Sequence, residues 1–251
     1  MSQLRLAISQ FPVSNDIKKN KKYITRHIEL AKEADADVIH FPETALSGYG
    51  TKFDRHEWSL LENSLDEIKN VAKKLHLYVV LGSLYKVASY QKPFNCTYLI
   101  SDQGLIEGKY FKNHLYKQEK DLFSCKSNFL IKNIKGIKCG FLICYDSCFP
   151  DSFQQYRDKG IGLLFLSYYN AKSSKNKNSM DELMRAQLIT RASDNLMYIS
   201  ASNSCERYSR MPSSFACPDG SLISLKRHKT DILICDYPKE KLGWTYDNSE
   251  D

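Results

Sequence analysis

Long apolar runs are missing from this chain: no stretch approaches the roughly 18 consecutive apolar residues that a membrane-crossing helix needs. The first residues, Met1-Ser2-Gln3-Leu4-Arg5, also lack the basic stretch and long apolar segment of a secretory leader, so a cytoplasmic setting is expected. No repeat, no low-complexity segment and no Pro/Gly/Ser linker interrupts the chain, which therefore reads as a single domain over residues 1–251. A concentrated basic block is absent too. The 36 Lys and Arg exceed the 29 Asp and Glu by only 7, spread over "DIKKNKK", "KNIKGIK" and "KSSKNKN". Nucleic-acid binding needs a basic face, so the surplus is assigned to solubility or to attraction for anionic substrates. Finally, there is no C-x-x-C pair to resolve a disulfide, which argues against a thiol redox protein. The eight cysteines are scattered and are expected to be reduced.

What is present is an alternation of strand and helix signals. "LRLAISQFPV" alternates apolar and polar residues and runs into "SND", the chemistry of a helix cap. Ile24, Ile28 and Ala31 then recur at helical spacing, and "DVIHF" reads as a buried strand closed by Pro42. A second helix is expected over 59–75, carrying Leu61, Leu65, Ile68, Ala72 and Leu75 on one face. "YVVLGSLYKV", "NCTYLISD", Lys109–Phe111, Phe129–Ile134 and Lys138–Ile143 read as strands. "DSFQQYRDKG" reads as a short helix stopped at Gly160. "IGLLFLSYY" is a further strand, 179–195 a further helix, and short strands crowd the tail to "DILICDYP". The class is α/β with a mixed sheet. The polar stretch "NAKSSKNKNS" (170–179) is expected to be a mobile lid.

Three polar groups stand where a strand pattern breaks off: Glu43 after "VIHFP", Lys112 after "KYF" and Cys144 after "FLI". Side chains at neighbouring strand ends converge on one crevice even when remote in sequence. Singly, each has a bland reading: a solvated glutamate, one more lysine in a basic chain, a small buried thiol. Together they form a chemical set. A thiol near neutrality is only a few per cent ionised and needs a base or a positive charge beside it. A carboxylate can take its proton and pass it to a leaving amine, and an ammonium can stabilise an oxyanion. A metal set of Cys139, Cys144, Cys148 and His114 was weighed against this. Residues 139 and 144, read as one strand, point to opposite faces, and zinc sites use tighter cysteine pairs, so no metal is expected.

Four stretches, "FPETALSGY" (41–49), "KNHLYKQEKDLF" (112–123), "CGFLICYDSCFPD" (139–151) and "RASDNLMYISASN" (191–203), resemble the nitrilase superfamily of carbon–nitrogen hydrolases in content and order. The resemblance implies a four-layer αββα sandwich, a homodimer and no cofactor. It implies Glu43 as general base, Lys112 as oxyanion stabiliser, Cys144 as nucleophile and Glu119 as a second acidic residue positioning substrate and lysine. The backbone N–H of Tyr145 would complete the oxyanion hole. The implied activity is hydrolysis of a small amide or carbamoyl compound through a cysteine thioester with release of ammonia. Alternatives are nitrile hydrolysis and a catalytically silent interaction protein.

"CYD" resembles the amidase branches more than the nitrilases, yet Cys148 stands where amidase relatives carry arginine, which weakens any match to a dicarboxylate monoamide. Asp151 and Asp194 replace glutamates, and 208–220 follows the family's Gly-x-Ser pattern only loosely. Lys172, Lys175 or Lys177 could meet a substrate carboxylate. His114 is read as a hydrogen-bonded structural group, Arg191 and Asp194 as a pair or as braces for loops, Gly48 as a turn residue, and Asn203 as a tie from a strand end toward the site.

Overall fold

Parallel crossovers organise both halves of the protein. In the computed structural model, which describes residues 4–50, 54–170 and 180–238, β1 (Leu4–Gln10), α1 (Ile17–Glu33), β2 (Val38–His40), α2 (Arg55–Leu75) and β3 (Tyr78–Tyr85) form two consecutive βαβ units. β4 (Phe94–Ile100) and β5 (Ile106–Phe111) extend this sheet antiparallel to one side, and β12 (Asp231–Tyr237) closes its other edge against β1. The second half repeats the plan. β7 (Ile137–Ile143), α4 (Pro150–Asp158), β8 (Leu163–Ser167), α5 (Met180–Asp194) and β9 (Tyr198–Ser202) give a second parallel core. β6 (Ile131–Ile134), β10 (Ser214–Ala216) and β11 (Leu222–Ser224) flank it. The remaining helix, α3 (Glu119–Leu122), is a single turn.

The two six-stranded sheets stack face to face with helices outside, the αββα sandwich that the resemblance implies. Strand alternation explains the layering. Ala7, Ile39, Val79 and Leu81 meet Ile24, Ile28, Ala31, Ile68 and Ala72 of α1 and α2. Leu6, Ile8, Val38 and Val80 face the other way, into a core with Phe141 and Phe165 of the second sheet. Phe153 and Tyr156 of α4, with Leu188 and Ala192 of α5, cover that sheet's far side. The stripe expected on α1 is fully buried. α2 starts four residues before the expected 59, because Asp54 and Glu57 form a reciprocal capping box that starts the helix without any apolar signal. The tail strands β10 and β11, three residues each, were expected only in outline. The 171–179 part of the expected lid, with Lys172, Lys175 and Lys177, lies outside the described residues.

Two features fix how the sheets meet. His40, fully buried, places Nδ1 at 2.9 Å from Ser200 Oγ and Nε2 at 2.9 Å from Ser167 Oγ, so one neutral ring joins β2 to β9 and β8. Burial pushes its pKa down to about 3. His27 of α1, bonded to Ser9 Oγ at 2.8 Å, is likewise pushed down to about 4, by burial first and partly against the Asp231 charge. The second feature is Gly82 of β3. A Cβ there would stand 2.1 Å from Pro42 O and 2.9 Å from Glu43 Cα, so the turn after β2 lies directly on a strand with no side chain in between.

Both features predict measurable losses. The two histidines stay neutral in the folded chain but take protons when unfolded, so their contribution is complete above pH about 6.5 and falls away as the pH drops toward 4–3. Urea unfolding at pH 5 should show about 2 kcal/mol less stability per histidine than at pH 7. A His27→Gln/His40→Gln variant should show a flatter dependence; an unchanged slope would refute the assignment. Gly82→Ala should cost about 1–3 kcal/mol in the same assay by forcing the 42–44 turn off the strand.

Candidate active site

Glu43 follows β2 on the Pro42–Thr44 turn seated against Gly82, with Thr44 in the left-handed region at φ 51°. Its backbone N–H donates across the sandwich to Tyr168 O at 3.2 Å, tying the turn to the end of β8. Its carboxylate is fully buried, and every contact it makes is a donor. Oε1 accepts from Lys112 Nζ at 2.7 Å and from Asn95 Nδ2 at 2.7 Å; Oε2 accepts from the Tyr169 backbone N–H at 2.9 Å.

Lys112 is the first residue past β5, where its N–H donates to Asn95 O at 2.9 Å. The side chain then runs inward until Nζ lies 2.7 Å from Glu43 Oε1 and 2.7 Å from Glu119 Oε1. Glu119, opening α3, also accepts from Tyr116 N–H at 2.5 Å and from the Tyr49 hydroxyl. Tyr49 in turn stacks on Tyr169 with ring centroids 4.9 Å apart.

Cys144 begins a tight 3-10 turn, Cys144–Cys148, immediately after β7, and its φ of 46° is a left-handed conformation that a non-glycine residue rarely adopts. The bend carries Cys144 out of an otherwise buried strand to where the charges of Glu43, Lys112 and Glu119 act on its thiol. The Tyr169 N–H that holds Glu43 also faces the sulfur. Asp146, fully buried, fastens this turn: Oδ2 accepts from Ile143 N–H at 3.0 Å and Tyr110 Oη at 2.8 Å, Oδ1 from His114 N–H at 2.8 Å. The Cys144 turn and the segment after Lys112 are thereby locked together.

The electrostatics follow from one ammonium shared by two carboxyl groups. Burial works against the Lys112 charge, but Glu43 and its neighbours outweigh it and raise the lysine pKa. Glu119 is raised as well, by burial first and then by the Glu43 charge, against the Tyr116 N–H. The Cys144 thiol is pushed well up by burial and by Glu43, with Lys112 opposing. The shift favours the neutral thiol over the thiolate.

The residues expected at strand ends thus fall in one cluster: Lys112 is paired with Glu43 and Glu119, and all three charges act on the Cys144 thiol. Tyr145, next to Cys144, packs edge-on to Tyr116 and Phe149 beside a cleft of about 790 Å³ that also bears Lys117 and Lys120. His114 makes the expected structural bond, Nδ1 to Asp146 Oδ1 at 3.0 Å, and stacks on Phe149. Asn203 joins the end of β9 to Asn170 Oδ1 at 2.7 Å, beside Tyr169. Gly48 has φ 72°, as its turn requires. Arg191 and Asp194 act as braces and not as a pair: Arg191 lies over Phe153, and Asp194 O accepts from Arg157 at 2.9 Å. Cys144 has left the strand, so strand alternation does not separate it from Cys139. Among the described residues no cluster of three metal-ligating side chains occurs.

Sequence reasoning passed over Asn95, Tyr49, Tyr169 and Asp146. Asn95 sits inside an apolar strand, where a polar residue is the available signal; the Tyr169 contact is a backbone group and leaves none.

Comparison with known proteins places the whole chain in a family. The chain is 27% identical to omega-amidase NIT2 of Xenopus tropicalis, over 97% of this chain and 91% of that protein. It is 28% identical to 2-oxoglutaramate amidase of Bacillus subtilis, over 81% and 75%. Among solved structures, an amidase from Nesterenkonia sp. superposes with a TM-score of 0.82 at 19% identity, covering 96% of this chain and 92% of that one. A structure of the same amidase carries the acetamide moiety of fluoroacetamide on its active-site cysteine. The family model described as carbon-nitrogen hydrolase matches residues 5–245, and the chain belongs to that family.

Proposed function

We propose that this enzyme hydrolyses the C–N bond of a small amide or carbamoyl compound through a thioester on Cys144, with release of ammonia. The observation that carries the reading is the Lys112 ammonium buried between Glu43 and Glu119 in the pocket that Cys144 enters. Oε1 of Glu43 already accepts from Lys112 and Asn95, so Oε2, which accepts one backbone N–H, has the lone pair that takes the thiol proton. The sulfur bonds to the amide carbon as its proton moves to Glu43. Lys112 Nζ and the Tyr145 N–H receive the oxyanion. Collapse breaks the C–N bond, Glu43 gives its proton to the departing ammonia, and the thioester remains. Glu43 then takes a proton from water, whose oxygen attacks the thioester carbonyl; the acid leaves and the thiol regains the proton. Glu119 holds Lys112 against the base and fixes its direction.

Relatives named for omega-amide and 2-oxoglutaramate substrates support an amide over a nitrile. Eight free cysteines agree with a reducing, cytoplasmic setting, and the near full-length family match supports one domain. A homodimer is also inferred; exposed Met180 and Leu183 on α5 offer an apolar face for it.

An ammonia-release screen over ω-amides, carbamoyl compounds, aliphatic amides and nitriles tests the reading. Cys144→Ala should lower turnover at least about a thousandfold with its melting temperature retained, and activity near wild type in that variant would refute the mechanism. Glu43→Gln should lose on the order of 10²–10⁴ in kcat. Sedimentation should give a dimer that Leu183→Glu weakens; a monomeric wild type would sink that part alone.

A further inference from the structure

Asn95 is the second residue of β4, between Phe94 and Cys96, is only 1% exposed, and its side chain makes one hydrogen bond among the described residues. That bond runs from Nδ2 to Glu43 Oε1 at 2.7 Å, while Oδ1 has no protein partner among them. Burying an amide in such a place is unfavourable unless its polarity is used. Nothing in the packing of β4 requires an amide, and the one group that meets it is the carboxylate of the proposed base. We propose that Asn95 is a positioning residue: with Lys112 it fills both acceptor sites of Glu43 Oε1, and so directs proton transfer to Oε2, the oxygen that shares the Tyr169 N–H with the Cys144 thiol.

The inference rests on Glu43 being the base, and the groups around that carboxylate show what Asn95 adds. Lys112 reaches it from the end of β5, Glu119 stands behind the lysine on α3, Cys144 arrives from the 3-10 turn, and Tyr169 contributes a backbone N–H from the end of β8. Asp146 and Glu206 are the next charges outward, the first acting on Lys112 and the second bonded to the Tyr169 hydroxyl at 2.8 Å. Lys112 is divided between two carboxyl groups and can swing toward Glu119. Asn95 is carried on a strand, its side chain bonds one partner among the described residues, and its uncharged N–H leaves the carboxylate its negative charge. A carboxylate that loses such a donor holds its proton more tightly and gains a second oxygen at which to hold it.

Two substitutions separate donation from space-filling. Asn95→Leu keeps roughly the volume and removes both polar atoms; Asn95→Ala removes the polar atoms and the volume together, so a shift common to both reports the lost donor and not the lost packing. The primary readout is the pH dependence of Cys144 alkylation by iodoacetamide, resolved from the exposed Cys125 and Cys148 by peptide mass spectrometry. It needs no substrate. Both variants should move the acidic limb upward by about one pH unit, the worth of one hydrogen bond to a carboxylate. On whichever amide the wild type turns over, kcat should fall about tenfold to a hundredfold with KM little changed, because Asn95 orients the base and does not hold the substrate. Folded variants whose alkylation profile superposes on that of wild type would overturn the proposal. A wild type that alkylates at Cys144 but releases no ammonia from any amide would instead refute the hydrolase reading, and the alkylation comparison would still decide the role of Asn95.

Discussion

An ammonium group held out of water between two carboxyl groups is the interaction on which this site depends. Lys112 is almost wholly buried, and so are Glu43 and Glu119, so none of the three can turn to solvent for compensation. Removing one partner from such a group leaves an unpaired buried charge, which typically costs about 3–5 kcal/mol. The arrangement is therefore tightly specified: the lysine must enter from β5, one carboxylate from the turn after β2, the other from α3, all to within hydrogen-bond length. It also sets the chemistry. Burial first, and then the Glu43 charge, push the Cys144 thiol pKa up against the opposing Lys112 charge, which favours the neutral thiol.

The sandwich exists around this cluster in a direct sense. Glu43, Lys112 and Asn95 hang from one sheet; Cys144 and the Tyr169 N–H come from the other. The alignment of the two sheets thus sets the distance from carboxylate to sulfur. Two cross-sheet ties sit close by in the chain: the buried His40 ring between Ser167 and Ser200, and the Glu43 N–H on Tyr168 O. Gly82 sets the height of the Glu43 turn above its strand. Asp146 does the equivalent for the nucleophile, holding the bend that puts Cys144 at φ 46°. Strain at a reactive residue persists only where its surroundings over-determine it, and a buried carboxylate accepting from Ile143, Tyr110 and His114 does that.

Much of this was legible in the chain. The α1 stripe of Ile24, Ile28 and Ala31, and the apolar strands ending at Glu43, Lys112 and Cys144, follow from periodicity and its interruption. Four motifs in order were enough to name the family. Less legible were the groups that support the reactive ones. Asn95 reads as a stray polar residue in a strand, and Tyr49 as one of 16 tyrosines, until folding sets each beside a carboxylate. The opposite-face argument for Cys139 and Cys144 failed because the strand ends one residue before the cysteine. Arg191 and Asp194 have the spacing of a pair, but Arg191 lies over Phe153, and the bond from Arg157 to residue 194 uses its backbone carbonyl.

By itself, the order of residues determined which segments are strands and helices, which faces are apolar, and which reactive groups stand at strand ends. Those are local properties, fixed by side-chain period and by caps and turns a few residues away. Only the tertiary structure decided which oxygen of Glu43 is saturated, that one lysine serves two carboxyl groups, and that a backbone N–H at 169 faces both base and sulfur. Hydrogen bonds and burial act over a few ångströms, here between residues 43 and 169, 126 positions apart, and that proximity comes into being only when the two sheets close on each other.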